Sequence, residues 1–571
     1  GNNEAVCDIV GTDTTNDIEG VRQFNGLTDA DSAAQLNNAT VSQTLDLLNN
    51  CDESGDGIND PVNCEIGALD NEINSELSQI NSATGSALSD ISQNNQIDIL
   101  QSIVATNDCD ETGAGDNIAI CPIVGLDNEI DDGVTQNNAI TAADDATSIS
   151  QDNGALIIQT MDVENDCDGS GTDNNAAICG SGDLDDQQIS SVLDQSNTAE
   201  VLDFSELDQG NNAVLSQGLV VVNDCDSTDG NSVECANNAN DNVNEIGGDL
   251  SDTITQDNDA RLSSDAIGKQ FNDLVIDQNV DLLNDCDETG QGFNDAECDN
   301  DSIRNLVGPT ITQTLFNEAG GEASTATIFQ SNGAPTGQNL QGTNDCDESG
   351  DGNNVALCQN EINNLIESIT QASNAQVGDD FRQLNFVDAR AQTIRATNDC
   401  DETGDGDNGD GGVDQFCGNN LENSIPSIAQ SNDATGTEVS DISQNNVIFD
   451  MTYLIIAVND CDQSGPGDNI ANCGNSANNH VDSITQKNDG EGDQFTDIFQ
   501  INDAEFSQTM DVGNNCDETT FIATGENNIP DCNNSAQNFI GPVSQTNTAT
   551  GEFDTFIGQD NNAAVTQNLV A

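Results

Sequence analysis

Cysteine is the residue whose spacing in this chain most directly promises chemistry. Cys51, Cys109, Cys167, Cys225, Cys286, Cys346, Cys400, Cys461 and Cys516 each sit in an acidic segment such as Asn107-Asp108-Cys109-Asp110-Glu111-Thr112-Gly113. A second cysteine follows 10 to 17 residues later, at Cys64, Cys121, Cys179, Cys235, Cys298, Cys358, Cys417, Cys473 and Cys532. Two disulfide registers are open. One closes each loop on itself, as in Cys51 to Cys64, Cys286 to Cys298 or Cys461 to Cys473; the other joins cysteines at the two ends of one block, as in Cys64 to Cys109. The variable length between fixed ends suits a closed surface excursion, so the loop register is favoured, and a ring of about a dozen residues stabilises by on the order of 3 kcal/mol in the chain-entropy model. Zinc is disfavoured, because the chain has no Cys-x-x-Cys pair and His480 is its one histidine.

Nineteen cysteines leave one over. Cys7 stands where the second cysteine of a preceding loop would stand, so loop pairing leaves Cys7 spare and block pairing leaves Cys532 spare. Either thiol is expected at a junction between copies, as an intermolecular link or a buried thiol.

The same segments carry Asp52-x-Ser54-x-Asp56-Gly, Asp347-x-Ser349-x-Asp351-Gly and Asp401-x-Thr403-x-Asp405-Gly. Oxygens at positions 1, 3 and 5 with Gly at 6 match the first half of a calcium loop, although the bidentate Glu expected at position 12 is missing. The plain alternative is a polar turn. These nine residues are the weak calcium candidates, and no other cofactor is expected.

What positions the cysteines is a repeat. Gln79, Gln93 and Gln101 return as Gln136, Gln151 and Gln159, as Gln195, Gln209 and Gln217, as Gln256, Gln270 and Gln278, and finally as Gln545, Gln559 and Gln567. The period is 54 to 61 residues, the signature of stacked units that each cover the apolar side of the next. Within a block, Ile91, Gln93, Asn95, Ile97, Ile99, Gln101, Ile103 and Ala105 alternate with polar residues, which predicts a strand with one buried face. A buried unpaired amide costs about 1 to 3 kcal/mol. Identical layers in register remove that cost by pairing each amide with its counterpart above and below. A shorter strand, Leu77, Gln79, Asn81 and Ala83, precedes this one, and the turn between them is too short for a parallel crossover. The two arms are therefore expected to face each other across a dry core within one layer. The expected fold is all-β: a β-solenoid, or cross-β stack, of ten repeats of about 58 residues, roughly 48 Å tall at 4.8 Å per layer. It forms a single array over residues 1–571, with junctions near the loops 51–64, 109–121, 167–179, 225–235, 286–298, 346–358, 400–417, 461–473 and 516–532.

Composition narrows the partners. With 104 acidic residues against 8 Lys plus Arg, a net charge of -96 excludes nucleic acid and anionic membranes and favours cations. No apolar run is long enough to span a bilayer. The cysteines point to an oxidising compartment, and the opening Gly1 to removal of a signal sequence, so secretion to the outside or to the cell surface is expected. Catalysis is not expected. With one His, one Tyr and no Trp, no nucleophile and base can be assembled around His480, and paired carboxylates at glycosidase separations are bound to recur on so acidic a surface.

The runs Asn153 to Gln159, Asn211 to Gln217 and Asn561 to Gln567 read Asn-x-Ala-x-x-x-Gln. This resembles the repeat of curlin, the curli-type functional amyloid subunit of biofilms. The resemblance implies inward ladder roles for Gln151, Asn153 and Gln159, in a solenoid that polymerises outside the cell. Arms that match the repeat at both ends, with no atypical capping unit, point the same way: a structural subunit that adds copies of itself head to tail. The alternative is a monomeric cation-binding adhesin or surface stalk on the same solenoid.

Overall fold

The computed structural model describes residues 9–570 apart from short segments, the longest being 405–414 and 521–530. Every regular element among the described residues is a strand. Neighbouring strands are parallel and in register over long stretches, for example Ser148–Asp166 on Asp90–Asp108. The cause lies in the period-two pattern: along Asp90–Asp108 buried and outward-facing residues alternate, and a one-residue slip would turn Ile97, Ile99 and Gln101 out to water.

Each block contributes to two sheets. One sheet holds the first arms, such as Leu77–Gly85 and Val134–Ala142 with Gln79 beside Gln136. It also holds the strands that carry the second cysteine, such as Asn117–Ile130. The other sheet holds the second arms and runs on through the first cysteine, as in Phe204–Thr228 paired with Ile267–Gly290. The arms of one block face each other: Asn81 Nδ2 donates to Asn95 Oδ1 at 2.9 Å, and Gln79 Nε2 donates to the Gln96 carbonyl at 2.8 Å. Successive blocks repeat this arrangement, which makes a β-solenoid of stacked parallel layers.

Apolar residues fill the space between the sheets in columns. Ile99, Ile157, Leu215 and Ile276 pack against Ile130, Ile189, Ile246 and Val307 of the opposite sheet. Ile103, Met161, Leu219 and Val280 face Ile66, Ile123 and Ile303. Corners are tight: Gly20 and Gly133 take φ of 91° and 75°, and a Cβ on Gly20 would lie 2.8 Å from the Ser75 Cβ, so both the dihedral and the space call for glycine.

Where they are described, the cysteine segments are strand and not surface excursion. The strands Ile267–Gly290 and Phe293–Ala319 carry Cys286 and Cys298 inside the stack, and the cysteines from Cys51 to Cys473 are buried as one cluster. The acidic flanks suggested a loop; in a strand the same flanks point outward while cysteine points in.

Stacked columns as the candidate functional site

Three kinds of column run along the solenoid axis. The first is amide. In the second-arm column Gln93 donates to Gln35 at 2.7 Å, Gln151 to Gln93 at 2.9 Å, Gln209 to Gln151 at 2.7 Å and Gln270 to Gln209 at 2.8 Å. The first-arm column repeats this, with Gln136 to Gln79 at 3.0 Å and Gln195 to Gln136 and Gln256 to Gln195 at 2.8 Å. So does the third, where Gln159 to Gln101, Gln217 to Gln159 and Gln278 to Gln217 are each 2.8 Å. At the far end Gln545, Gln559 and Gln567 donate to Gln486, Gln500 and Gln508 at 2.8, 2.7 and 2.8 Å. The second amide proton crosses to the other sheet, as from Gln101 to the Asn71 carbonyl at 2.8 Å. Each side chain thereby satisfies a layer neighbour and a facing backbone carbonyl, which is what lets it stay buried.

Two further amide columns were not anticipated from the sequence. Asn165, Asn223, Asn284 and Asn344 bond one to the next at 2.9 to 3.0 Å. Asn71, Asn128, Gln187 and Asn244 are buried opposite the third glutamine column. Their signal was present in part, since each asparagine of the first column precedes a cysteine by two residues and Asn71, Asn128 and Gln187 each lie eight residues before the leading Gln, whereas Asn244 lies twelve before Gln256. One glutamine column is interrupted: Tyr453 stands between Gln392 and Gln508. A bulge between Ile448 and Met451, with Asp450 at φ 47°, absorbs the extra residue that displaces the pattern.

The second column is sulfur. Cys179, Cys235 and Cys298 stack in register on one sheet, and Cys225 and Cys286 on the other. The two stacks interleave. From Cys286 onward the loop register holds, as Cys286–Cys298, Cys346–Cys358, Cys400–Cys417, Cys461–Cys473 and Cys516–Cys532. Toward the start the expected loop pairs give way to the block register, with Cys121–Cys167 and Cys179–Cys225 bonded. Cys51 is disulfide-bonded, whereas Cys64 and Cys109 are thiols, which rules out the expected Cys51 to Cys64 bond. A hydrogen bond to Cys64, together with burial, pushes the Cys109 thiol well above its ordinary value. The registers meet at Cys225, which reaches both Cys179 and Cys235, across Cα separations of 6.1 and 6.5 Å. A cysteine sulfur forms one disulfide, so these two bonds are alternatives. Both separations fall in the range that a disulfide bridges. Cys7 lies outside the described residues.

The third column is acid. Asp108, Asp166, Asp224, Asp285, Asp345, Asp399 and Asp460 stack layer on layer beside the cysteines. The row is flanked by Asn50, which donates to Asp108 at 2.7 Å, and Asn515, which donates to Asp460 at 2.9 Å. A second row runs two residues on, with Asp226 beside Asp287 and Asp347 beside Asp401. Oxygens of Asp110, Asp166 and Asp168 lie within 4.8 Å of one another. Partial burial and then the neighbouring carboxylates push Asp166, Asp285, Asp287 and Asp399 up to about 6, and Asp168 and Asp347 up to about 7.

The calcium candidates fall only partly on described residues. Asp347 and Ser349 lie in the extended strand Thr336–Gly350, paired in register with Asp401 and Thr403 of Gln392–Gly404. In an extended strand residues two apart share a face but stand about 6 to 7 Å apart, so Asp347 and Ser349 do not curl around one ion as a calcium loop does. Ser54 and Asp56 belong to the short strand Glu53–Asp56, and Asp52, Asp351 and Asp405 lie outside the described residues. The glutamate between the outward acids turns inward. Glu288 is fully buried, accepts the Asp295 N–H at 2.8 Å, and is pushed up to about 8 by burial. His480 stacks on Phe539 at a centroid distance of 4.7 Å and contacts Asp482.

The bonded cysteines fit an oxidising environment, and among the described residues no helix is long and apolar enough to cross a membrane. Compared with protein-family models, curated proteins and solved structures, the chain has no significant match.

Proposed function

We propose that this chain is the structural subunit of a secreted extracellular fibre, which grows by adding solenoids end to end. The observation that carries this reading is the parallel in-register stacking itself, in which successive layers present the same amide and apolar rows to one another. The outermost described layers carry the same inward rows less fully covered: Val565 and Leu569 are 47% and 54% exposed at one end, and at the other Gln23 and Asn25 are only partly buried where the matching Gln79 and Asn81 are fully buried. Gln545, Gln559 and Gln567 have a partner below and an open face above. Unpaired parallel edges of this kind accept another copy in the same register. The likeness of the Asn-x-Ala-x-x-x-Gln runs to curlin supports the same function, as does the paucity of groups suited to catalysis.

The outward aspartate rows give the fibre a cation requirement. Calcium, in this reading, bridges carboxylates of successive layers instead of sitting in single loops. Fibre diffraction tests polymerisation: a reflection at about 4.8 Å along the fibre axis is expected. A chain that stays monodisperse at high concentration, with no such reflection, overturns the fibre reading in favour of a monomeric stalk.

A further inference from the structure

The sulfur column does more than crosslink. Toward the end of the array the sulfurs of successive pairs lie within reach of one another. The Sγ atoms of Cys358, Cys400 and Cys417 are within 4.8 Å of one another, as are those of Cys417, Cys461 and Cys473 and those of Cys473, Cys516 and Cys532. Each trio is a bonded pair plus the nearest sulfur of the previous pair. Consecutive trios share a cysteine, so from Cys358 to Cys532 the contacts form one unbroken path. Nearer the start of the column, at Cys225, two registers meet and leave one of two cysteines without a bond, Cys179 or Cys235, and the Cys235 and Cys298 sulfurs each lie 3.4 Å from the carbonyl of the residue just before the next first cysteine, Asp285 and Asp345.

We propose that the cysteine column is a thiol relay: a free thiol at the register boundary travels along the solenoid axis by successive thiol–disulfide exchanges. In one step the Cys235 sulfur, as thiolate, attacks the Cys286 sulfur of the Cys286–Cys298 bond. A Cys235–Cys286 bond forms and the Cys286–Cys298 bond breaks. The electron pair leaves on Cys298, which takes up the proton that Cys235 released. One disulfide is exchanged for one disulfide, so no oxidant or reductant is consumed. The next steps free Cys358, then Cys417, Cys473 and Cys532. Parity follows from the interleaving: each step moves the thiol by two places, so it stays on the second-cysteine stack and never appears on Cys286, Cys346, Cys400, Cys461 or Cys516.

The exit is exposed. Cys473 is buried and Cys516 partly buried, whereas Cys532 is open to solvent. A thiol that starts in the buried middle of the column can therefore react at the end. The proposal rests on the cysteine geometry alone and stands whether or not the chain forms fibres.

The test is a maleimide label applied to the dispersed, folded chain, followed by acid denaturation, a second label and peptide mapping without reduction. The relay expects the first label to accumulate on Cys532, with the bonds Cys286–Cys298 through Cys516–Cys532 replaced by Cys235–Cys286 through Cys473–Cys516. Chains quenched before labelling should show the spare thiol spread over second-stack cysteines. Cys298→Ser removes one stepping stone, and labelling of Cys532 should then fall at least about tenfold while the pairs beyond it keep the loop register. In the wild-type chain, an identical pairing map before and after labelling, or a thiol on Cys286, Cys346, Cys400, Cys461 or Cys516, overturns the relay. The wild-type map decides this even if the variant folds poorly.

Discussion

Asn165 and Asp166 are neighbours on one strand, yet stacking treats them in opposite ways. Asn165 points inward, and its column bonds to itself: Asn165 to Asn223 and Asn223 to Asn284 at 2.9 Å, Asn284 to Asn344 at 3.0 Å. Asp166 points outward among Asp108, Asp224 and Asp110, and those charges help drive its pKa up to about 6. An amide is donor and acceptor at once, so repetition completes it. A carboxylate is only an acceptor when ionised, so repetition sets like charges within a Debye length of about 8 Å at physiological salt. The same parallel register therefore stabilises the inside and strains the outside.

The largest expected effect comes from relieving the outside. On the outside, partial burial and neighbouring carboxylates push Asp168 and Asp347 up to about 7 against an ordinary 3.8, and inside the stack burial pushes Glu288 up to about 8 against 4.5. Between those limits the folded chain binds more protons than the unfolded one. Stability therefore falls as pH rises from about 4 to about 8 and is greatest on the acid side. Thermal melts should give a higher midpoint at pH 5 than at pH 8, and assembly should be faster. For the half-exposed aspartates salt will shrink the difference. A midpoint that is equal or lower at pH 5 would mean that the acid rows are not strained.

Breaking the inside should come next. Gln217→Leu removes the donor to Gln159 and the acceptor of Gln278. Each is left short of a buried partner, at about 1 to 3 kcal/mol apiece. Chemical denaturation of the variant should show the loss, and a change within about 0.5 kcal/mol, the range of ordinary surface substitutions, would show that the ladder contributes nothing net.

How much of the molecule is legible in its sequence depends on which face a residue occupies. The period-two rows from Ile91 to Ala105 and the recurring glutamines gave away the strands, the parallel register and the amide ladders, because a polar residue that recurs in an apolar row must find its hydrogen-bond partner in the layers above and below. The cysteine segments misled. Asp108, Asp110 and Glu111 read as a polar loop, but only the first two face water, and Glu111 is buried with Cys109. The disulfide register was legible only in part: the favoured loop pairing holds from Cys286 onward, and the block pairing takes over toward the start. In an interleaved column the sulfur before and the sulfur after lie at similar separations, as Cys225 shows, so spacing along the chain cannot choose between them. The register of the Tyr453 block was hidden by a single extra residue, which the bulge at Asp450 absorbs.

A smaller effect separates specific cation bridging from screening. If calcium spans carboxylates of successive layers, millimolar calcium should raise the melting midpoint and speed assembly beyond sodium at equal ionic strength, because one divalent ion neutralises two neighbours in a row where sodium only thins the field. The Asp110, Asp166 and Asp168 oxygens are the group to watch. Asp166→Asn together with Asp168→Asn should weaken the calcium increment while leaving the response to sodium. Identical behaviour in the two salts would reduce the acid rows to general electrostatics.

The smallest effect is expected where the inside column is already broken. Tyr453 is fully buried in a glutamine position, and its hydroxyl lies 3.3 Å from the Met451 sulfur, a weak acceptor. On the same side of the gap Gln392 Oε1 has no hydrogen-bond partner. The ring fills the volume that a glutamine would fill, but it passes no hydrogen bond on to the next layer. Removing the hydroxyl therefore interrupts nothing that is continuous. Tyr453→Phe should change stability by less than about 1 kcal/mol in either direction, since a weak bond is lost and a polar group no longer has to be buried. Set beside Gln217→Leu in the same denaturant series, it isolates the value of continuity: both changes delete a polar group from one column at full burial, and only one of them has a bonded neighbour in both directions. A Tyr453→Phe loss as large as that of Gln217→Leu would mean that burial, and not the ladder, sets the cost.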